Sequence, residues 1–346
     1  MCIRDSRWLA DRAEAVDRGA ELPRAHVDLL AESGILGHVV PAAHGGEDVP
    51  PAVARRVVEL VAGACGVTTF VLIQHLFACG MLLRSPNEAL AARLLPDLAT
   101  GRRRAGVCFA HIRREGPPVL RAARVPGGVR FDGRAPWFTG HGIYDETVLA
   151  GTLPDGVNVY GWTALDPAHV RASAPLALAA MGASATVALE IDGLVIPDEA
   201  LLLELDRAAQ IALDSAGVLR IGPPCHGIAE RAIGLVRSAP DAAAQAAADA
   251  LAAELERSRA ALAAALEVPD DRRLALDFRA AVTDLVLRAT QAAVTAVGGR
   301  GFALDHPAQR LAREAGFYIV TITGQPIRER LLAWHVQAAS GRPTLA

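Results

Sequence analysis

Short constellations in this 346-residue chain could do chemistry. Trp137-Phe138-Thr139 sets a flat ring and a hydroxyl side by side, just before the flexible Gly140-His141-Gly142. Such a tip can press a ring on a flat ligand and bond its polar edge, although the same residues also suit the strand end and turn of an ordinary core. His111 and His141 bracket the tip in sequence. A neutral imidazole there could accept a proton; the alternative is a pair of loop histidines held by structural bonds. Gly298-Gly299-Arg300-Gly301 would let a phosphate approach the backbone, but it follows a helical pattern and lacks a later glycine. That argues against a Rossmann turn. No His-Glu-x-x-His or paired His/Cys spacing occurs, so no metal site is expected. Nor is there a nucleophile elbow, since Gly182-Ala183-Ser184-Ala185-Thr186 ends in Thr.

The elements that must position the Trp137 tip lie between residues 126 and 151. Gly127-Gly128 and Asp132-Gly133 take positive φ at little cost, and β-rich runs occupy 129–131, 135–139 and 144–150. This predicts a β-meander. Before it, the periodicity is helical over 7–104, with helices at 51–64, 68–83 and 86–98 and an earlier one carrying Val27, Leu30 and Ile35. Over 105–204 the period is two, with further strands at 157–163 and 186–191 and Val195-Ile196-Pro197 closing the sheet. From 205 to 346 the chain is helical again, at 224–236, 241–266 and 272–297. Leu251, Leu255, Leu262 and Leu266 fall on one face of the middle helix, as in a packed bundle. The fold class is therefore α+β, with helical, β and helical regions in one assembly.

Composition sets the outer limits. An apolar content of 52% supplies a large core, and every one of the 35 basic residues is Arg. Against 38 acids the net charge is −3, which gives no general pull toward nucleic acid. Arg102-Arg103-Arg104 and Arg113-Arg114 read as solvated loop edges rather than a phosphate clamp. Cys65, Cys79, Cys108 and Cys225 have no framework spacing and read as buried, reduced thiols. The most apolar stretch, 68–83, is broken by Gln74 and His75 and falls short of the roughly 20 residues a bilayer span requires. No membrane span and a cytoplasmic location are expected. Met1-Cys2-Ile3-Arg4-Asp5-Ser6 reads as the translated end of a sequencing library, which places the natural N-terminus elsewhere.

Several phrases carry a family resemblance. Gly133-Arg134-Ala135-Pro136-Trp137-Phe138-Thr139 followed by Asp145 resembles the flavin-contacting hairpin of the acyl-CoA dehydrogenase family. Gly37 to Gly46 is similar to that family's N-terminal Gly-x-x-x-Pro-x-x-x-Gly-Gly loop, and 178–198 to a phrase of its β-domain. Gly298-Gly299-x-Gly301-Phe302, then Pro307, Arg310, Arg313-Glu314 and Gly324, is similar to its C-terminal signature in order and spacing. The resemblance covers nearly the whole chain after Ser6. It implies an N-terminal helical domain, a central β-barrel or sandwich and a C-terminal helical bundle through which subunits pair as a homodimer or homotetramer. It also implies FAD, an acyl thioester or related small acid as substrate, and an electron-transfer partner.

Carried over by position, the resemblance puts Trp137, Phe138, Thr139, Ala110, Gly298, Gly299 and Gln325 on the cofactor, and Thr323, Gly324 and His111 on the substrate, with the Thr323 amide polarising a carbonyl. The family's catalytic carboxylate falls at Thr323, whose hydroxyl is too weak a base for α-proton removal. The alternative position in the first helix of the C-terminal domain is Gly217, with Asp214 and Glu230 the nearest acids. The family's Thr-Glu-Pro…Gly-Ser-Asp segment corresponds to the different chemistry of 110–118. The readings are thus FAD-dependent dehydrogenation with no identified base, a flavin monooxygenase on the same fold, or a non-catalytic binding subunit.

Overall fold

In the computed structural model the described residues are 3–322 and 324–337. Helices α1 (Ile3–Ala10), α2 (Ala13–Asp17), α3 (Arg24–Glu32), α4 (Pro51–Ala64), α5 (Gly66–Arg84) and α6 (Glu88–Ala99) precede the sheet. Pro51 at the first position suits α4, because its missing N–H would lack a helical partner there anyway. The Asn87 side chain caps α6 by accepting from Leu90 N at 3.0 Å. Helix α5 is apolar on every side and is the central helix of the molecule. Its 19 residues exceed the expected 68–83 and are long and apolar enough to cross a bilayer. Burial inside the protein accounts for that composition, with 83% of its most apolar window covered.

The strands are β1 (Ala105–Cys108), β2 (Leu120–Val125), β3 (Gly128–Phe138), β4 (Glu146–Thr152), β5 (Asn158–Ala164), β6 (Val170–Ala172), β7 (Val187–Pro197) and β8 (Leu201–Leu205). They form one sheet in the order β6-β7-β3-β2-β4-β5-β8, with β1 parallel to β4. The predicted meander is corrected here. Asp132-Gly133 does not turn the chain; Gly133, at φ +130°, sits at a bulge inside the single strand β3. A Cβ there would lie 2.3 Å from the Val119 carbonyl oxygen, which only glycine avoids. The turn is instead at Gly127, and β4 runs beside β5 and β1 rather than β3. Nor does 195–197 close the sheet, since β8 adds an edge strand on β5.

Helices α7 (Arg207–Gly217), α8 (Gly222–Arg237), α9 (Ala242–Glu267), α10 (Arg272–Val297), α11 (Pro307–Val320) and α12 (Gln325–Val336) follow. Asp241 and Asp271 cap α9 and α10, each accepting a backbone N–H at 2.9 Å. On α9, Leu251, Leu255 and Leu262 are buried, but Leu266, in the last turn, is 37% exposed. One apolar core joins Val61 and Phe70 to Phe131 and Val187 of the sheet and to Ile228 and Phe278 behind it. The N-terminal helices, sheet and bundle therefore share their interior, and the seam between them is where a cavity remains.

Candidate functional site

That cavity, of about 500 Å³, runs along α5. Phe70, Ile73, Gln74, Phe77, Met81 and Arg84 form its floor. Their spacing places them on one helix face, a stripe about 21 Å long at roughly 1.5 Å per residue. Val107, Phe109 and Ala110 come from the end of β1 and the short turn after it, and Trp137 and Thr139 from the end of β3. Leu213, Gly217 and Arg220 of the α7 region and Phe317, Val320, Thr321 and Ile322 at the end of α11 complete the wall. The Phe70 and Phe317 rings meet edge to face at 4.7 Å, joining floor to wall.

Strand pleating decides which of the predicted tip residues reaches the cavity. Trp137 and Thr139 share a face and line it, whereas Phe138 points the opposite way and is fully buried in the core. Thr139 Oγ1 lies 3.0 Å from Thr186 Oγ1, which lies 2.8 Å from Ser184 Oγ, so the hydroxyl is held from behind. The tip is also anchored to α5, for Tyr144 Oη donates to the Val71 carbonyl at 2.5 Å. A Cβ at Gly140 would strike the Tyr144 ring at 2.4 Å, and its φ of +85° likewise calls for glycine.

The wall formed by the end of α11 is braced from α10. The buried Arg279 donates through Nη2 to the carbonyls of Tyr318 at 2.6 Å and Thr321 at 2.9 Å. Beyond them Ile322 stands at φ +54°, a left-handed conformation that a β-branched residue adopts at a cost of about 1–3 kcal/mol. The next residue, Thr323, lies outside the described residues, and with it the expected carbonyl-polarising amide.

The electrostatics of the wall are one-sided. Arg84, Arg113, Arg114 and Arg220 line the cavity, and no Asp or Glu does among the described residues. Arg113 is neutralised by Asp214 at 2.6 Å. Arg220 stacks on the Phe77 ring at 5.3 Å, and burial, then the charge of Arg84, pushes its guanidinium down to about 10. Of the acids considered as a base, Asp214 is thus paired with Arg113, and Glu230 belongs to ion pairs with Arg56 and Arg259 elsewhere. Gly217 does reach the wall.

Of the other expected site residues, only Ala110 shares this cavity. His111 is buried off the wall, with Nε2 2.8 Å from the Ala150 carbonyl oxygen, and burial pushes its imidazole down to about 4. His141 lines a separate hollow of about 160 Å³ with Glu21 and Arg104. Gly298 and Gly299 are exposed in the 3-10 turn Gly298–Phe302, and Gln325 donates to Glu329 at 3.0 Å on the solvent face of α12, which Gly324 opens. Ala110, Trp137 and Thr139 together form a patch of the wall that fits the flat ring of a flavin. Within one copy no predicted residue for the dinucleotide end joins them. Sequence reasoning missed the α5 stripe and Arg220. The recurrence of 70, 73, 74, 77, 81 and 84 in an apolar helix was a usable signal for the first; nothing in the sequence marked the second.

Residues 6–102 match the family described as acyl-CoA dehydrogenase, N-terminal domain. The chain is similar in structure to butyryl-CoA dehydrogenase from Megasphaera elsdenii, at 16% identity and TM-score 0.84 over 96% of this chain and 95% of that one. It is similar to dibenzothiophene monooxygenase from Paenibacillus sp. A11-2, at 17% identity and TM-score 0.80 over 99% and 97%. It also resembles XiaF from Streptomyces sp. in complex with FADH2 and glycerol, at 17% identity and TM-score 0.77 over 99% and 95%. No curated protein matches the sequence. At these identities the structural likeness shows a shared fold.

Proposed function

We propose that this chain, a member of the acyl-CoA dehydrogenase family by its N-terminal domain and its fold, is a flavin-dependent oxidoreductase acting on a small acid or acyl thioester held along α5. FAD is the expected cofactor, supported by the Trp137, Thr139 and Ala110 wall and by the FADH2 complex of a protein with the same fold. When bound, it supplies the two-electron chemistry. The protein's part is to hold the ring against Trp137, bond its edge through Thr139 and keep water from the apolar floor. The dinucleotide end is assigned to the exposed Gly298–Phe302 turn of a second copy. Phe302, 75% exposed, and Leu304, 66% exposed, support that pairing in a homodimer or homotetramer.

One observation directs the choice of reaction. Removing an α-proton from an acyl thioester requires a base within hydrogen-bond reach, and the described wall carries no carboxylate. Oxygenation by a reduced flavin makes no such demand on the protein, so the monooxygenase branch is the reading this cavity favours. The dibenzothiophene monooxygenase likeness supports it at the level of fold. Anaerobic addition of butyryl-CoA is expected to leave the bound flavin oxidised, while enzymatically reduced flavin is expected to support oxygen-dependent turnover of an added substrate. Bleaching of the flavin band by butyryl-CoA would return the protein to the dehydrogenases.

A further inference from the structure

The α5 stripe orders the cavity from an aromatic end at Phe70 to a cationic end at Arg84. Arg220 joins that cationic end across the Phe77 ring. Arg84 reaches only the Gly80 carbonyl at 3.2 Å, and neither arginine has a carboxylate within ion-pair distance among the described residues. Asp214, the acid nearest this wall, is committed to Arg113.

Arg84 is exposed and Arg220 half-buried, and two like charges sharing one hollow raise each other's cost; elsewhere the buried Arg279 is offset by carbonyls and other arginines by carboxylates. Arg56, Arg259, Arg288 and Arg310 each hold at least one carboxylate at 3.1 Å or closer. We propose that the Arg84–Arg220 end is an oxyanion subsite, receiving the carboxylate or phosphate of a substrate whose apolar body lies over Phe77 and Phe70. The subsite rests on the same reading of this cavity as the substrate site, though not on the cofactor. A guanidinium offers paired N–H donors that match the two oxygens of either group, and the floor between Phe70 and Met81 offers only apolar contact apart from Gln74. The ligand class is therefore an amphiphilic acid.

The test is isothermal titration of the full chain with octanoate, octyl phosphate and octanol, which share one apolar body. At least one of the two anions is expected to bind ten times or more tighter than octanol, and the better of them identifies the head group. Arg84→Gln and Arg220→Gln are each expected to shrink that ratio toward one while leaving octanol unchanged, and Arg220→Lys to restore part of it. Failure of both anions to bind, affinities equal to octanol's, or a ratio that survives Arg84→Gln combined with Arg220→Gln would overturn the subsite. The wild-type ratio decides the matter even if a variant fails to fold. Visible spectra of the same samples keep the readings apart: flavin with no anion preference sinks the subsite alone, and anion preference without flavin supports it while sinking the cofactor.

Discussion

Two places in this molecule set arginines between helices, and they are built in opposite ways. At the α4–α8–α9 junction, Glu59 Oε2 lies 2.7 Å from both Arg56 and Arg259, and Glu230 Oε2 lies 2.6 Å and 3.0 Å from the same pair. His226 fits in behind, with Nδ1 3.4 Å from Glu59 Oε1 and Nε2 2.8 Å from Ser258 Oγ. Carboxylate, imidazole and hydroxyl line up as in a hydrolase, but His226 and Ser258 are 0% exposed and neither lines the cavity along α5. Close approach of α4 and α8 seals the junction, since a Cβ at Gly227 would lie 2.0 Å from the Glu59 carbonyl oxygen. At the cavity, by contrast, Arg84 and Arg220 have no carboxylate within ion-pair distance among the described residues, and no acid lines the wall. A network complete in itself serves stability; a site left incomplete by the protein is one that a ligand completes.

That contrast can be broken at its strong side first. Glu59→Ala would remove the buried carboxylate that two guanidinia and an imidazole share, leaving Arg56 and Arg259 to the more exposed Glu230, and should cost up to about 3 kcal/mol in urea unfolding. A loss under about 1 kcal/mol would mean the network is idle. Acid should act on the same residue. Burial opposes ionisation of Glu59, but the bonds from His226, Arg56 and Arg259 outweigh it and bring its carboxyl down from the ordinary 4.5 to about 2. Because the folded value is depressed, the stabilisation is fully present above pH 4.5 and is lost as pH falls toward 2, by on the order of 3 kcal/mol. Glu59→Gln should flatten the fall in denaturation midpoint over that window; an unchanged slope would put the acid sensitivity elsewhere.

At the cavity the sign should reverse. Arg220→Met removes a cation with no carboxylate partner among the described residues and keeps an unbranched chain against Phe77, so stability should hold or rise, by up to about 1 kcal/mol. A loss above about 2 kcal/mol would make Arg220 structural and remove the contrast. The smallest effect should come from the solvent-exposed Arg237–Asp249 pair. There Asp249→Ala should change stability by less than about 0.5 kcal/mol, showing that cost follows burial rather than the mere presence of an ion pair.

Much of the fold was legible because its signals are local. The Pro at the start of α4, the Asp caps of α9 and α10 and the period-two stretch that became β3 to β5 fix element types without tertiary help. Asp132-Gly133 misled because a glycine with positive φ serves a bulge as readily as a turn, and only the nearness of Val119 distinguishes them. Of the three tip residues read from the sequence, Trp137 and Thr139 line the candidate cavity, because alternate residues of a strand share a face. The same alternation carries Phe138 into the core, which a three-residue motif read as a unit overlooks. Arg220 was not legible, because its significance is an absent partner, and absence is a property of the packed structure.

The most direct test of the account is the visible spectrum of the purified chain, taken after incubation with FAD and gel filtration, beside that of Trp137→Ala. A flavin band should travel with the wild-type protein and be lost or strongly reduced in the variant, whose far-UV circular dichroism should be unchanged. A wild-type protein that retains no flavin, or a variant that retains as much as wild type, would contradict the account; the first result would favour the non-catalytic binding subunit.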